Sequence, residues 1–168
     1  AYYIAKPNRQ ELWATVSVGV NEHPAATSWL FNEFTAPGQG PDPVTAQISS
    51  KVSWSGVLSG TGAAGTLAAV TITISVLEDG APVFTRQVHA LERRASALTA
   101  AGFSDSGSDD VVMEVSVIPG REYELRLTVT CEALSGAIGV ATSCTYGRKQ
   151  SGGAGFVDWG TRTITFTP

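Results

Sequence analysis

The sequence predicts an all-β domain: an antiparallel two-sheet β-sandwich of jelly-roll type with about nine strands. Three observations carry that expectation. Apolar residues recur at every second position in Val70/Ile72/Ile74/Val76, in Tyr123/Leu125/Leu127/Val129/Cys131, in Ile48/Val52/Trp54/Leu58 and in Ile164/Phe166, with polar and often hydroxyl residues between them. A period of two belongs to a strand with one buried face. Gly-, Pro- and Asp-rich segments punctuate these stretches at short intervals, as the turns of sandwiches and barrels do. Finally, the 168 residues show no repeat, low-complexity tail or composition break. They fit one domain, 1–168, large enough to bury roughly 70% of its unfolded surface without a metal or disulfide scaffold.

Each element follows in order. Residues 1–12 place Tyr2, Tyr3 and Ile4 ahead of the first firm strand with no obvious turn, so they read as an N-terminal extension or an edge strand. Residues 13–20 alternate, with Ala14, Val16, Val18 and Val20 inward. From Asn21 to Val44, Trp29-Leu30-Phe31 and Phe34 are apolar without clean alternation and a Pro/Gly run follows, which predicts a short strand or turn and then a long loop. Strand 47–58 and a Gly-rich connection lead to strand 68–77. There Glu78-Asp79-Gly80-Ala81 signals a hairpin. Pairing apolar with apolar sets Val76 opposite Phe84 and Ile72 opposite Val88, which requires a three-residue loop with Gly80 left-handed. Residues 90–98 have helical propensity and predict a short helix or an irregular crossing. Ser104–Asp110 reads as an acidic loop, followed by strand 111–118, a Pro119-Gly120 turn and strand 122–132 as a second hairpin. Strands near 137–146, 155–159 and 161–167 complete the count, with a Gly-rich loop over 147–155.

Charge narrows the partners. The net charge is −4, and the only lysines are Lys6, Lys51 and Lys149, so no cationic stripe exists to neutralise phosphates. Nucleic acid and anionic membranes are disfavoured, and no apolar run is long enough for a spanning helix. Charged residues make up 15% of the chain and Ser and Thr dominate its polar positions, a texture that suits an extracellular β protein. A start at Ala1 without an initiator Met fits a removed leader, and equally a trimmed chain. Cys131 and Cys144 both fall on inward parity. A disulfide between them, formed in an oxidising compartment, is the favoured reading; two buried thiols acting as small hydrophobes are the alternative.

The supply of catalytic groups is thin. His23 and His89 are the only histidines, and no nucleophile elbow accompanies them. Glu22 and Glu33 flank the Trp29 segment and are the carboxylates a hydrolase would use. Asp105, Asp109 and Asp110 offer hard oxygen ligands of the kind calcium takes, without the spacing of a calcium-binding loop; no other cofactor is implied. Trp54 shares parity with core residues. Trp13, Trp29 and Trp159 lie at strand ends or in irregular segments, where an exposed indole would stack on the apolar face of a sugar ring. Threonines recur on outward parity at 71/73, 128/130 and 161–167, as expected of a good β-former.

Three readings of function follow. The leading one is a secreted, non-catalytic recognition module for carbohydrate or another cell-surface ligand. The second is a structural or adhesive subunit that self-associates by adding its N-terminal segment to a neighbour's sheet. The third is a hydrolase.

Overall fold

A computed structural model describes residues 2–4, 10–12, 14–18, 25–60, 65–94, 102–134, 142–146 and 156–168. These residues form eleven strands: β1 (Tyr2–Ile4), β2 (Gln10–Leu12), β3 (Ala14–Val18), β4 (Ala25–Thr35), β5 (Val44–Ser59), β6 (Leu67–Glu78), β7 (Ala81–Arg94), β8 (Phe103–Val117), β9 (Glu122–Leu134), β10 (Thr142–Tyr146) and β11 (Phe156–Thr167). The chain is all-β, with two antiparallel sheets enclosing one hydrophobic core.

In the first sheet β5 is central. The strand β8 covers one side of it, while β11 and β10 follow one another along the other. Beyond them β1 and β2 pair with β11, and β3 pairs with β10. The second sheet runs β4-β9-β6-β7. The pairings are nested: β3 with β10, β4 with β9, β5 with β8 and β6 with β7. These four strand pairs thus nest within one another around the turn at Asp79-Gly80, and successive pairs alternate between the two sheets.

The alternating rows do bury. Ile72, Ile74, Leu125, Leu127, Val129 and Ile164 are fully enclosed, and Trp54 lies in the core with them. At roughly 25 cal/mol per Å² of apolar surface, each such aliphatic side chain contributes about 1.5–3 kcal/mol.

Several local expectations are corrected, each for a physical reason. Residues 25–35 form a full strand. Its outward row carries Trp29 and Phe31 while its inward row carries Ser28 and Asn32, so burial alternates where hydropathy does not. The acidic segment 104–110 is strand, paired with β5 from Phe103 to Val117; its inward carboxylates Asp105 and Asp109 meet His89 and Arg86 of β7. Residues 90–94 continue β7 opposite β6, so pairing overrides helical propensity there, and the rest of the 90–98 segment lies outside the described residues. Residues 156–167 are one strand instead of two, with a register shift between Trp159 and Arg162. Turn 118–121 joins two sheets and not a hairpin, since β8 and β9 lie in different sheets. The Gly120 amide donates to the Ala36 carbonyl at 2.8 Å and fixes that crossing.

The β6–β7 turn has two residues, Asp79 (φ 50°) and Gly80 (φ 79°), with Glu78 opposite Ala81. Gly80 is left-handed as expected, but the loop is one residue shorter. Val76 still meets Phe84, because a bulge inserts Val83 into β7. A second bulge inserts Val88 and leaves His89, in place of Val88, opposite Ile72. Two consecutive residues, Val88 and His89, are then half-buried. Re-aiming a side chain is a common use of a bulge.

Candidate functional site

Among the described residues, the outer face of the β4-β9-β6-β7 sheet carries the two most exposed aromatic side chains. Trp29 and Phe31 are two residues apart on the outward row of the edge strand β4, 53% and 49% exposed. Residues at that spacing stand about 6.6 Å apart on one face. Pairing extends each aromatic into a rung across the sheet. Trp29 leads to Thr128, Thr73 and Gln87, and Phe31 to Arg126, Ser75 and Thr85. On the rung beside Trp29, Thr27 is followed by Thr130 and Thr71.

Polar groups on this face are ordered by one another. The Thr27 and Thr130 hydroxyls are 3.2 Å apart and those of Ser75 and Thr85 are 3.0 Å apart. Arg126 donates through Nε to Glu124 at 2.5 Å, and its guanidinium carbon lies 5.8 Å from the centre of the Trp29 ring, within cation–π range. Past Phe31 the face ends in an acidic rim. Glu33 opposes Glu124, and with Asp79 and Glu122 they line an open depression of about 170 Å³. Among the described residues no three His, Cys, Asp or Glu side chains converge as a metal-binding set.

The remaining candidates scatter. Trp159 is 2% exposed and belongs to the core. Its indole donates to the Ser50 hydroxyl at 3.4 Å, and the fully buried Arg162 guanidinium lies 4.3 Å from its ring centre; desolvation lowers the pKa of Arg162. The bulge at 159–162 turns both side chains inward, which no hydropathy pattern announces. Trp13, Glu22 and His23 lie outside the described residues. Asp105, Asp109 and Asp110 do not share a site: Asp110 is exposed on the opposite parity, opposite Lys51, whereas Asp105 and Asp109 face β7.

There they form a polar seam between the edges of the two sheets. Arg86 reaches Asp109 at 3.4 Å and the Val112 carbonyl at 2.6 Å. His89 Nε2 lies 2.8 Å from Asp105 Oδ2, which also accepts from the Tyr146 hydroxyl at 2.5 Å. The His89 ring stacks on Trp54 with centroids 4.5 Å apart, and Arg93 covers Phe103 at 4.0 Å. Burial first, and then the bond to the Asp105 carboxylate, raise the Tyr146 phenol well above its ordinary pKa. Glycines make room here: a Cβ on Gly107 would stand 2.7 Å from the Trp54 ring, and one on Gly56 2.5 Å from the Tyr146 ring.

The sequence reading missed Phe31, Arg126 and this seam. Once 25–35 is a strand, Phe31 follows Trp29 by parity alone. Asp105 and His89 had no such signal, because their meeting depends on which sheet edges face each other.

No family model and no curated protein matches the sequence. Among solved structures the chain is similar to a chain in the structure of the infectious bursal disease virus Gx strain, at 16% identity and a TM-score of 0.27. The alignment covers 92% of this chain and 40% of that one, so the chain spans less than half that relative's length. A superposition this loose does not define a shared fold.

Proposed function

We propose that this is a jelly-roll domain acting as a secreted, non-catalytic recognition module, and that its β4-β9-β6-β7 face binds carbohydrate. The nested pairing of β3–β10, β4–β9, β5–β8 and β6–β7 supports the jelly-roll reading. One observation carries the binding reading: two aromatics, half-exposed and neighbours on the outward row of one strand, border rungs of threonine and serine. Aromatic faces take the apolar C–H face of a pyranose. Flanking hydroxyls, Gln87 and the Arg126–Glu124 pair supply donors and acceptors for its hydroxyl groups. A hydroxylated rather than cationic outer surface fits an extracellular setting, where the Cys131–Cys144 pair would also oxidise.

The self-assembly reading loses its main motive, because Tyr2–Ile4 pairs with residues 162–164 of its own chain. The hydrolase reading has Glu33 on the rim of an open depression, with like charge opposite it.

The test is binding of the chain to a panel of immobilised oligosaccharides, repeated with Trp29→Ala and Phe31→Ala. Either substitution is expected to cut binding at least tenfold while changing stability by no more than about 0.5 kcal/mol, as for other surface positions. Absence of binding to every glycan, or undiminished binding by the double variant, would overturn the proposal.

A further inference from the structure

Cys131 and Cys144 bring a second chemistry, independent of the glycan face. Cys131 is on β9, an interior strand of the second sheet, between Ala26 of β4 and Val70 of β6. Cys144 is on β10, in the first sheet, between Val16 of β3 and Leu58 of β5. Both side chains point into the core and are fully enclosed. Their sulfurs nevertheless meet across the gap between the sheets, with the Cys144 thiol donating to Cys131 Sγ at 2.6 Å.

We propose that these residues form an inter-sheet disulfide that closes while the chain folds and is then sealed in the core. The geometry supplies the proximity, since both side chains already aim at one another from opposite layers. Burial supplies the timing. A thiol must ionise to attack a disulfide, and in the folded chain its bond to Cys131, then desolvation, hold the Cys144 thiol far above its ordinary pKa. Nor can an oxidant as large as glutathione reach two enclosed sulfurs. Exchange therefore belongs to the open chain. One cysteine thiolate attacks oxidised glutathione and expels a glutathione thiolate; the second attacks the resulting mixed disulfide and expels another. Two thiols lose two protons and two electrons, and one oxidised glutathione becomes two reduced ones.

The alternative is a pair of packed thiols, and a redox experiment separates the two. The full chain is reduced, unfolded in urea and refolded either in an oxidised/reduced glutathione mixture or in excess dithiothreitol. Each sample is then denatured, alkylated with iodoacetamide and weighed intact. The glutathione-refolded chain is expected to take up no alkyl group and to unfold at a higher urea concentration than the dithiothreitol-refolded one. The same chain folded in the reduced state and only then placed in the glutathione mixture is expected to keep two alkylatable thiols throughout the time in which refolding completes. Cys131→Ala and Cys144→Ala should each abolish the difference between the two refolding conditions. Two alkyl groups, or glutathione retained on both cysteines, after oxidative refolding would overturn the disulfide. Rapid oxidation of the folded chain would overturn its sealing.

Discussion

Replacing Asp105 by alanine tests whether the polar seam holds the two sheet edges together. One carboxylate oxygen of Asp105 accepts from His89 at 2.8 Å and from Tyr146 at 2.5 Å, and the Asp105 and His89 side chains are only 15% and 17% exposed. Hydrogen bonds to a charged group contribute about 1.5–3 kcal/mol, and a buried hydroxyl stripped of its acceptor costs about 1–3 kcal/mol. The two figures overlap, because losing the Tyr146 bond and stranding its hydroxyl are partly one event. The expected loss is about 2–4 kcal/mol, which for a domain of this size lowers Tm by about 5–15 °C. Asp109→Ala is the internal control. Its partner Arg86 is 3.4 Å away and both side chains are about one-third exposed, so the loss should stay within about 1 kcal/mol. Calorimetry of both variants at neutral pH decides the matter. In a Tyr146→Phe background, Asp105→Ala should cost about 1–3 kcal/mol less, since no phenol remains to be stranded. Equal shifts for Asp105→Ala and Asp109→Ala, or strict additivity with Tyr146→Phe, would refute the reasoning.

Other expectations follow from the same geometry. The raised phenol pKa of Tyr146 keeps it protonated in the fold after the unfolded chain ionises. Stability should hold below about pH 10 and fall above it by up to about 1.4 kcal/mol per pH unit; Tyr146→Phe, compared at the same cysteine redox state, should flatten that decline in urea midpoints between pH 9 and 11. Gly107→Ala drives a Cβ to 2.7 Å from the Trp54 ring, an overpacking worth about 1–3 kcal/mol, and an unchanged near-ultraviolet tryptophan signal would count against that contact. Gly80→Ala forces a left-handed residue at φ 79° and should cost about 1–2 kcal/mol, visible as faster hydrogen exchange in the β6–β7 hairpin. A disulfide closing the 13-residue span from Cys131 to Cys144 should be worth about 3 kcal/mol, read as the urea-midpoint difference between oxidised and reduced chains.

What the sequence determined by itself was the set of buried rows. In β6 and β9, and along most of β5, every second residue is apolar, and a strand that hides one face from water needs no more than that pattern to be recognised. Gly80 was legible for a similar reason, because the turn demands a φ that only its own residue type meets without strain. The tertiary structure decided the rest. Whether Pro119-Gly120 makes a hairpin or an arch depends on which sheet receives β9, and local turn chemistry is the same in both. Asp105 and Asp109 look like a solvated loop until β7 comes to lie against β8, and His89 faces them only because one extra residue shifts the parity of its strand. Trp29 and Phe31 obscured the alternation of β4 because they are apolar and point outward, while the apolar Leu30 and Phe34 point inward. In each case the deciding partner lies far away in sequence, and hydropathy records what a residue is while its neighbours across the sheets determine where it goes.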